Sequence, residues 1–221
     1  MTAAMMSKIF LVATAIFLTA CASGPKPASW QLESKGAMER AVAAYLEGNS
    51  RIEAVELARA RLEISSTGRV DLMARAELLS CASRVASLVF EPCAGFEKLR
   101  QDSPPAERAY ADYLAGKLSP QNINLLPKEQ QKIAQASVLQ VYSAIENIAD
   151  PLARLVAAGT VFHAGLASPA LVQAAVDAAS SQGWRRPLLA WLGVQLKLAE
   201  ASGNAQEAGR VQRRITLTLK P

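Results

Sequence analysis

Apolar residues recur along most of the chain at the three- and four-residue spacing of amphipathic helices. The spacing is clearest on two faces, formed by Ala37, Ala41, Ala44 and Tyr45 and by Leu152, Leu155, Val156, Gly159 and Phe162. Stretches rich in Val, Ile, Thr and aromatic residues, which strands require, are nearly absent. The pattern therefore predicts helices from Trp30 onward and no sheet.

Residues typical of helix caps mark where these helices begin and end. Ser50 and Asn204 stand three residues before a glutamate, and Asp150, Ser168 and Ser103 each precede a proline. Glycines follow the helical runs at Gly48, Gly116, Gly183 and Gly203. Together the signals predict helices over 31–47, 50–64, 69–90, 94–101, 104–116, 127–148, 151–166, 169–182, 187–202 and 205–218. Short connections between them predict antiparallel hairpins in one all-α domain over 31–221.

Helix starts in the second half of the chain recur at a near-constant interval. Asp150, Ser168, Pro187 and Asn204 are 18, 19 and 17 residues apart, which is the rhythm of helical-hairpin repeats. The chain resembles the tetratricopeptide class at Leu192, Leu196, Ala199, Gly203 and Ala208, and a first pair with Tyr45, Gly48 and Ala54 is similar but one residue longer. The resemblance implies a tetratricopeptide-like solenoid, and an irregular helical bundle is the alternative.

Composition supports the helical prediction. The 221 residues include 42 alanines and 27 leucines, both good helix formers, whereas aromatic residues make up only 5%. Hydrophobic residues at 51% and charged residues at 19% exclude a disordered chain. A length of 221 residues is ample for a buried core without metals or disulfides.

The first 20 residues have the layout of a secretory signal peptide. They contain one base, Lys8, and no acid, and an apolar or small run covers 9–20. That run is too short to cross a bilayer as a straight helix. Residues 1–20 are therefore predicted to be a cleaved leader.

The leader ends in Leu18-Thr19-Ala20-Cys21, which resembles the lipobox of bacterial lipoproteins. The resemblance implies cleavage before Cys21 and attachment of two or three acyl chains, such as palmitate, which anchor a protein stably. Because Ala22 rather than an aspartate follows, it also implies the outer membrane, with the protein facing the periplasm. An ordinary signal peptide with a coincidental cysteine is the alternative.

Residues 21–30 contain proline, glycine and serine without apolar periodicity, and they predict a short flexible tether. Without the leader, the chain holds 23 bases against 19 acids, a net charge of about +4. Charge this dilute does not form a phosphate track, so we expect no nucleic-acid partner.

Cys81 and Cys93 remain as an even pair in an oxidising compartment. A disulfide between them would close a loop of about a dozen residues and stabilise the fold by about 3 kcal/mol. The bridge requires the chain to fold back sharply, because Cys81 lies well before the predicted helix end at residue 90. Two buried reduced thiols are the alternative.

Residues that would carry catalysis or bind a metal are scarce. His163 is the only histidine, and no cysteine or acid lies three or four residues from it. Nucleophile-elbow, zinc-protease, P-loop and dinucleotide-binding motifs do not occur. We therefore expect a packing histidine, no metal, no cofactor and no enzymatic activity, although a triad of remote groups is not excluded by sequence.

One pair of residues suggests an enzyme. Glu33-Ser34 resembles the catalytic glutamate and serine of lytic transglycosylases, but residues 35–39 lack the glycine-leucine-methionine segment of that family. An acid in a first helical turn also complements the helix dipole. A peptidoglycan-active enzyme would hold Glu33 in a cleft.

A basic surface is predicted near the end of the chain. Arg210, Arg213 and Arg214 share one face of the last helix, and Trp184, Arg185 and Arg186 occupy a turn. Arginine and tryptophan are enriched at interface hot spots, so these six residues are candidates for binding an anionic partner. A solvated basic face is the alternative.

The sequence as a whole predicts a lipid-anchored periplasmic scaffold that binds a protein or polymer partner in assembly or maintenance of the cell envelope. Tethering would raise its effective concentration near such partners. A peptidoglycan-active enzyme and a carrier of a small apolar ligand are the alternatives. A carrier would show an enclosed apolar cavity, and a scaffold an open apolar or basic surface.

Overall fold

The computed structural model describes residues 27–220, and within that range the chain forms helices and no strand. The prediction of an all-α fold is confirmed. The α-helices are α1 Ser29–Glu47, α2 Ser50–Ser65, α3 Val70–Ala86, α4 Ala94–Glu97, α5 Pro105–Leu114, α6 Lys128–Gln135, α7 Val141–Glu146, α8 Pro151–His163, α9 Pro169–Ser181, α10 Arg185–Ala201 and α11 Ala205–Leu219. Two 3-10 helices cover Arg100–Asp102 and Pro120–Leu125.

Capping side chains begin several helices where the sequence predicts them. Asp150 accepts a hydrogen bond from the Ala153 amide at 2.7 Å, and Ser168 and Asn204 cap α9 and α11 in the same way. At α2 the predicted cap is wrong by one residue, because Asn49 rather than Ser50 accepts from the helix amide. These caps satisfy amides that the first helical turn leaves unpaired.

The end of α3 differs from the prediction, which extended this helix to residue 90. The helix ends at Ala86, and Leu88 takes the left-handed conformation with φ 58°. The Val89 amide then donates to the Arg84 carbonyl and the Leu88 amide to the Val85 carbonyl, which is the Schellman pattern of a helix end. Because leucine rather than glycine occupies the left-handed position, no sequence signal marked this turn.

The predicted helix over 127–148 is also wrong, since the structure splits it into α6 and α7. Ala136 is extended, and Ser137 begins a new turn in which its amide and hydroxyl both donate to the Gln140 side chain. A serine followed three residues later by glutamine has the spacing of a capping box, although here the serine hydroxyl donates to the glutamine side chain instead of accepting from a helix amide. The signal for the break was therefore present in the sequence.

Three further boundaries shift. Residues 94–101, predicted as one helix, form the single turn α4 followed by a 3-10 helix. Ser103 does not cap α5, which begins at Pro105, because its hydroxyl donates to the Leu99 carbonyl instead. Helix α10 begins at Arg185, two residues before Pro187, which is buried in the first turn.

Two apolar clusters hold the helices together. The central core contains buried side chains from α3 to α11, with Trp191, Phe96, Leu155 and Leu192 among the most buried. The hairpin core lies between α1, α2 and α3 and consists of Ala37, Met38, Ala41, Leu57, Ala60, Ile64 and Ala76. Helix α3 contributes to both clusters and separates them.

Close approach of α3 and α8 depends on a glycine. A Cβ at Gly159 would overlap the carbonyl oxygen of Val85. At the same place the indole nitrogen of Trp191 donates to the Ala86 carbonyl at 3.1 Å, so α10 is fixed to the end of α3. The apolar run that covers α8 and α9 is thus buried in the central core. Among residues 27–220, no helix is both long and apolar enough to span a bilayer.

Candidate binding surfaces

A polar cleft of about 720 Å³ opens between α2, α3, α4 and α5. Its walls are joined by ion pairs: Arg61 donates to both oxygens of Glu77 at 2.6 and 2.8 Å, and Arg100 contacts both Glu97 and Asp112. The Arg100 guanidinium holds the pKa of the Glu97 carboxyl below its usual range. Most of the charge in the cleft is therefore already paired within the chain.

The Cys81–Cys93 disulfide lines this cleft and links α3 to the start of α4. The two Cα atoms lie 5.8 Å apart, within the ordinary range for a bridge. The sharp turn at Leu88 lets Cys93 return to the level of Cys81. Two residues after Cys93, a glycine is required at position 95, because a Cβ there would overlap the Glu77 carboxylate.

His163 lies at the rim of the polar cleft, at the end of α8. Its ring stacks on Phe90 with centroids 4.2 Å apart and an angle of 12°. Phe90 also stacks on Phe162, so the histidine extends an aromatic cluster that reaches Trp191. The described part of the chain holds no group of three His, Cys, Asp or Glu side chains that could bind a metal ion.

A second concave surface, which we call the apolar groove, runs along the other side of α3 from the polar cleft. It consists of two adjoining depressions of about 450 and 330 Å³ that share Arg75 and Leu79. The first is lined by Arg75, Leu78, Leu79, Ala106, Glu107, Tyr110, Leu125, Leu126 and Pro127. The second is lined by Trp30, Gln31, Ser34, Lys35, Met38, Ile64, Arg69, Leu72, Arg75, Ala76 and Leu79.

Glu107 is a buried acid in the wall of the groove. One carboxylate oxygen accepts from Arg75 Nε at 2.6 Å. The other oxygen, Oε2, is buried and has no hydrogen-bond partner among the described residues. Buried polar atoms are normally satisfied, so this acceptor is an unusual feature of a mostly apolar surface.

A buried polar network joins three helices of the central core. The Tyr113 hydroxyl donates to Gln130 Oε1 at 2.6 Å and accepts from Thr160 at 2.9 Å. Gln130 in turn donates to the Ala153 carbonyl. Burial raises the pKa of the Tyr113 hydroxyl. The network ties α5, α6 and α8 together and keeps the hydroxyl protonated.

Of the residues predicted to bind a partner near the start of α10, Arg186 is engaged within the chain. Its guanidinium donates to the Tyr45 carbonyl at 2.8 Å and to the Ser50 hydroxyl at 2.9 Å, and it lies 4.2 Å from the centre of the Tyr45 ring. Trp184 is half-buried against the central core, and Arg185 is exposed. Arg186 therefore fixes α10 to the turn between α1 and α2.

The basic residues of α11 are more accessible. Arg210 is exposed and pairs with Glu207 one turn earlier. Arg213 is exposed and Arg214 is half-buried, and neither forms an ion pair within residues 27–220. A role of these arginines in binding stays a prediction.

Glu33 does not lie in a cleft. It is exposed on the first turns of α1 and pairs with Arg59 of α2 at 2.6 Å. The pair contributes to the contact between two helices. This position gives no support to the idea of a catalytic acid.

The lipobox and Cys21 lie outside the described residues. No family model matches the chain, and neither the curated proteins nor the solved structures include a match. The tetratricopeptide-like and lipoprotein resemblances therefore stay predictions.

The apolar groove was not predicted from the sequence. Its walls come from α1, α2, α3, α5 and the segment before α6, which are far apart in the chain. Arg75 and Glu107, for example, are 32 residues apart. Leu79 lies on the same side of α3 as Leu72 and Ala76, and the sequence alone does not distinguish this pattern from a buried helix face.

Proposed function

We propose that this chain is a lipid-anchored periplasmic scaffold that binds a protein of the cell envelope in the apolar groove. The observation that carries the proposal is the groove itself, an open and mostly apolar surface formed by five parts of the chain. Open apolar surfaces of this kind mark interaction sites in soluble proteins. The anchoring part rests on the resemblance of residues 18–21 to a lipobox.

The groove suits a peptide-like partner better than the polar cleft does. Charged groups in the cleft largely satisfy one another, so few are left for recognition. In the groove, apolar walls can bury apolar side chains of a partner, and the Arg75 side chain, which lines both depressions and is 62% exposed, can donate hydrogen bonds to it. Apolar anchors with a few polar contacts are the usual composition of binding hot spots.

A carrier of a small apolar ligand is the second candidate. The larger depression, at about 450 Å³, falls within the usual volume range of ligand sites. Because the depression is an open groove rather than an enclosed cavity, a protein partner is the better match. A crosslinking side chain placed in the groove would react with a protein if the chain is a scaffold, and with a small molecule if it is a carrier.

The test is site-specific photo-crosslinking in intact cells, with the leader and tether in place. A crosslinking side chain at Leu79 should give a discrete product with one envelope protein. Leu198 on α10 is a matched control, since it is 39% exposed and Leu79 is 36% exposed. A single protein product at residue 79 that is absent at residue 198 supports the scaffold.

The second part of the test measures whether a substitution in the groove removes the bound partner. Leu79→Asp should abolish the crosslinked or co-purified partner, whereas Leu198→Asp should leave it unchanged. Equal products at the two positions, or a partner that survives Leu79→Asp, would contradict the proposal. A small extractable molecule in place of a protein would favour the carrier. Mass spectrometry of the mature chain separately reports whether Cys21 is acylated.

A further inference from the structure

The outward side of α2 is apolar and basic. We call it the outer face of α2, and it consists of Arg51, Ile52, Val55, Ala58, Arg59 and Leu62, all exposed. Ile52, Val55 and Leu62 are 47%, 62% and 70% exposed. Their spacing of three, four and three residues, counting through Arg59, places them on one stripe of the helix.

The opposite side of α2 already has its partners. Glu53, Leu57, Ala60 and Ile64 are buried. Two carboxylates of the helix point to neighbouring helices, because Glu53 pairs with Arg84 and Glu56 with Arg40. The large apolar residues of the outer face are therefore not needed for the hairpin core.

Charge on the outer face is positive. It contains two arginines and no carboxylate. Arg59 reaches to Glu33 of α1, and Arg51 forms no ion pair within the part of the chain that the structure describes. Apolar side chains flanked by arginines are typical of helices that lie on anionic membrane surfaces.

The position of the face relative to the tether favours a lipid surface. The ion pairs Glu33–Arg59 and Arg40–Glu56 show that α2 runs antiparallel to α1, so Leu62 lies at the end of the hairpin where α1 begins. Leu32, at the same end, is also exposed. Only seven residues separate Cys21 from Ser29, and a chain of that length spans at most about 28 Å.

We propose that the outer face of α2 lies on the surface of the anionic phospholipid membrane to which acylated Cys21 anchors the protein. Ile52, Val55 and Leu62 contact the boundary of headgroups and acyl chains, and Arg51, which has no ion-pair partner among the described residues, contacts phosphates. The inference rests on the proposed function, because the tether supplies the proximity. Its consequence is orientation: docking of α2 fixes the direction in which the rest of the protein extends from the membrane.

The experiment uses the full acylated chain, reconstituted in phosphatidylethanolamine vesicles with or without phosphatidylglycerol. A fluorescent amino acid replaces Val55, and brominated lipid serves as the quencher. Leu217 on α11 is the matched control, since it is 72% exposed and arginines also flank it. We expect strong quenching at residue 55 that requires phosphatidylglycerol, and little at residue 217.

Two variants test the two kinds of contact. Arg51→Gln should reduce the phosphatidylglycerol-dependent quenching about fivefold, because each basic residue near an anionic surface contributes roughly a factor of five. Ile52→Ser with Leu62→Ser should abolish it. All three residues are exposed, so helix content measured by circular dichroism should stay unchanged.

The outcomes separate docking from anchoring. Acylated Cys21 with no quenching at residue 55 overturns the docking and leaves the anchor intact. A crosslink from residue 55 to a second copy or another protein overturns it in favour of a protein interface. A mature chain without acyl groups overturns both the anchor and the docking, whereas the partner crosslink at Leu79 reports on the scaffold alone.

Discussion

The α1–α2 hairpin and the central core are held together by different interactions. Four of the seven buried residues of the hairpin core are alanines, whereas the central core buries tryptophan, phenylalanine and many branched side chains. Alanines allow close helix contact but bury little apolar area. The hairpin is supplemented by ion pairs, Arg40–Glu56 and Glu33–Arg59 between its helices and Arg61–Glu77 and Arg84–Glu53 to α3.

This difference separates stability from surface function. The central core supplies most of the buried apolar area, so we expect it to unfold last. The hairpin leaves several of its large apolar residues outside, on α2 and at Leu32. It also forms one wall of the apolar groove. Residues that a core would otherwise use are thus available for binding.

The largest expected effect comes from the central core. Trp191→Ala removes a fully buried indole and leaves the Ala86 carbonyl without its donor. We expect the free energy of unfolding to fall by about 3–5 kcal/mol. Urea denaturation followed by circular dichroism measures the change, and Leu139→Ala at an exposed site is the control. A loss below about 1 kcal/mol would contradict the division between the two cores.

The next effect tests the contact between α3 and α8. Gly159→Ala places a methyl group against the Val85 carbonyl, so we expect a loss of about 1–3 kcal/mol. Gly193→Ala is a matched control on α10, where nothing lies within 4 Å of the new Cβ. Since alanine favours helix, the control should gain about 0.5–1 kcal/mol. Equal effects at the two glycines would argue against close packing at Gly159.

The sequence predicts those features of this structure that depend on residues close together in the chain. Caps at Asp150, Ser168 and Asn204 depend on neighbouring residues only, and all three are present. The left-handed Leu88 depends on tertiary packing, so its turn had no local signal. The spacing of serine and glutamine from Ser137 to Gln140 is also local, but no break was predicted from it.

Binding surfaces were less predictable than helices for the same reason. The predicted docking residue Arg186 is bound to Tyr45 and Ser50, which lie 141 and 136 residues earlier in the chain. The spacing of apolar and polar residues within one helix cannot predict a hydrogen bond between residues so far apart in the chain. The apolar groove likewise requires the relative positions of α1, α3 and α5. The outer face of α2 repeats at a helical period, but no surface was predicted from that pattern.

Removing the link between the two regions should have an intermediate effect. Arg186→Ala takes away two hydrogen bonds and the contact with the Tyr45 ring, so we expect a loss of about 1–2 kcal/mol. Amide hydrogen exchange should rise mainly in α1 and α2, because the central core is intact. Arg213→Ala, an exposed arginine on α11, is the control. Faster exchange throughout α8 to α10 would show that the two regions open together.

The smallest effect is expected from acid. Arg40 holds the pKa of the Glu56 carboxyl below its model-compound value of 4.5, and Arg100 does the same for Glu97. A lowered folded-state pKa contributes stability above pH 4.5 that is lost as the pH falls through the folded value. Both pairs are partly exposed to solvent, so the decrease in urea midpoint between about pH 6 and pH 3 should be modest.

The acid effect also discriminates between the regions, because Glu56 belongs to the hairpin and Glu97 to the polar cleft beside the central core. Glu56→Gln should remove the part of the pH dependence that amide exchange detects in α1 and α2, while the part near α4 persists. A midpoint that rises on acidification, or a Glu56→Gln protein with the full pH dependence in its hairpin, would show that these carboxylates do not hold the helices together. If the hairpin alone loosens in acid, its ion pairs stabilise it in a way that the central core does not require.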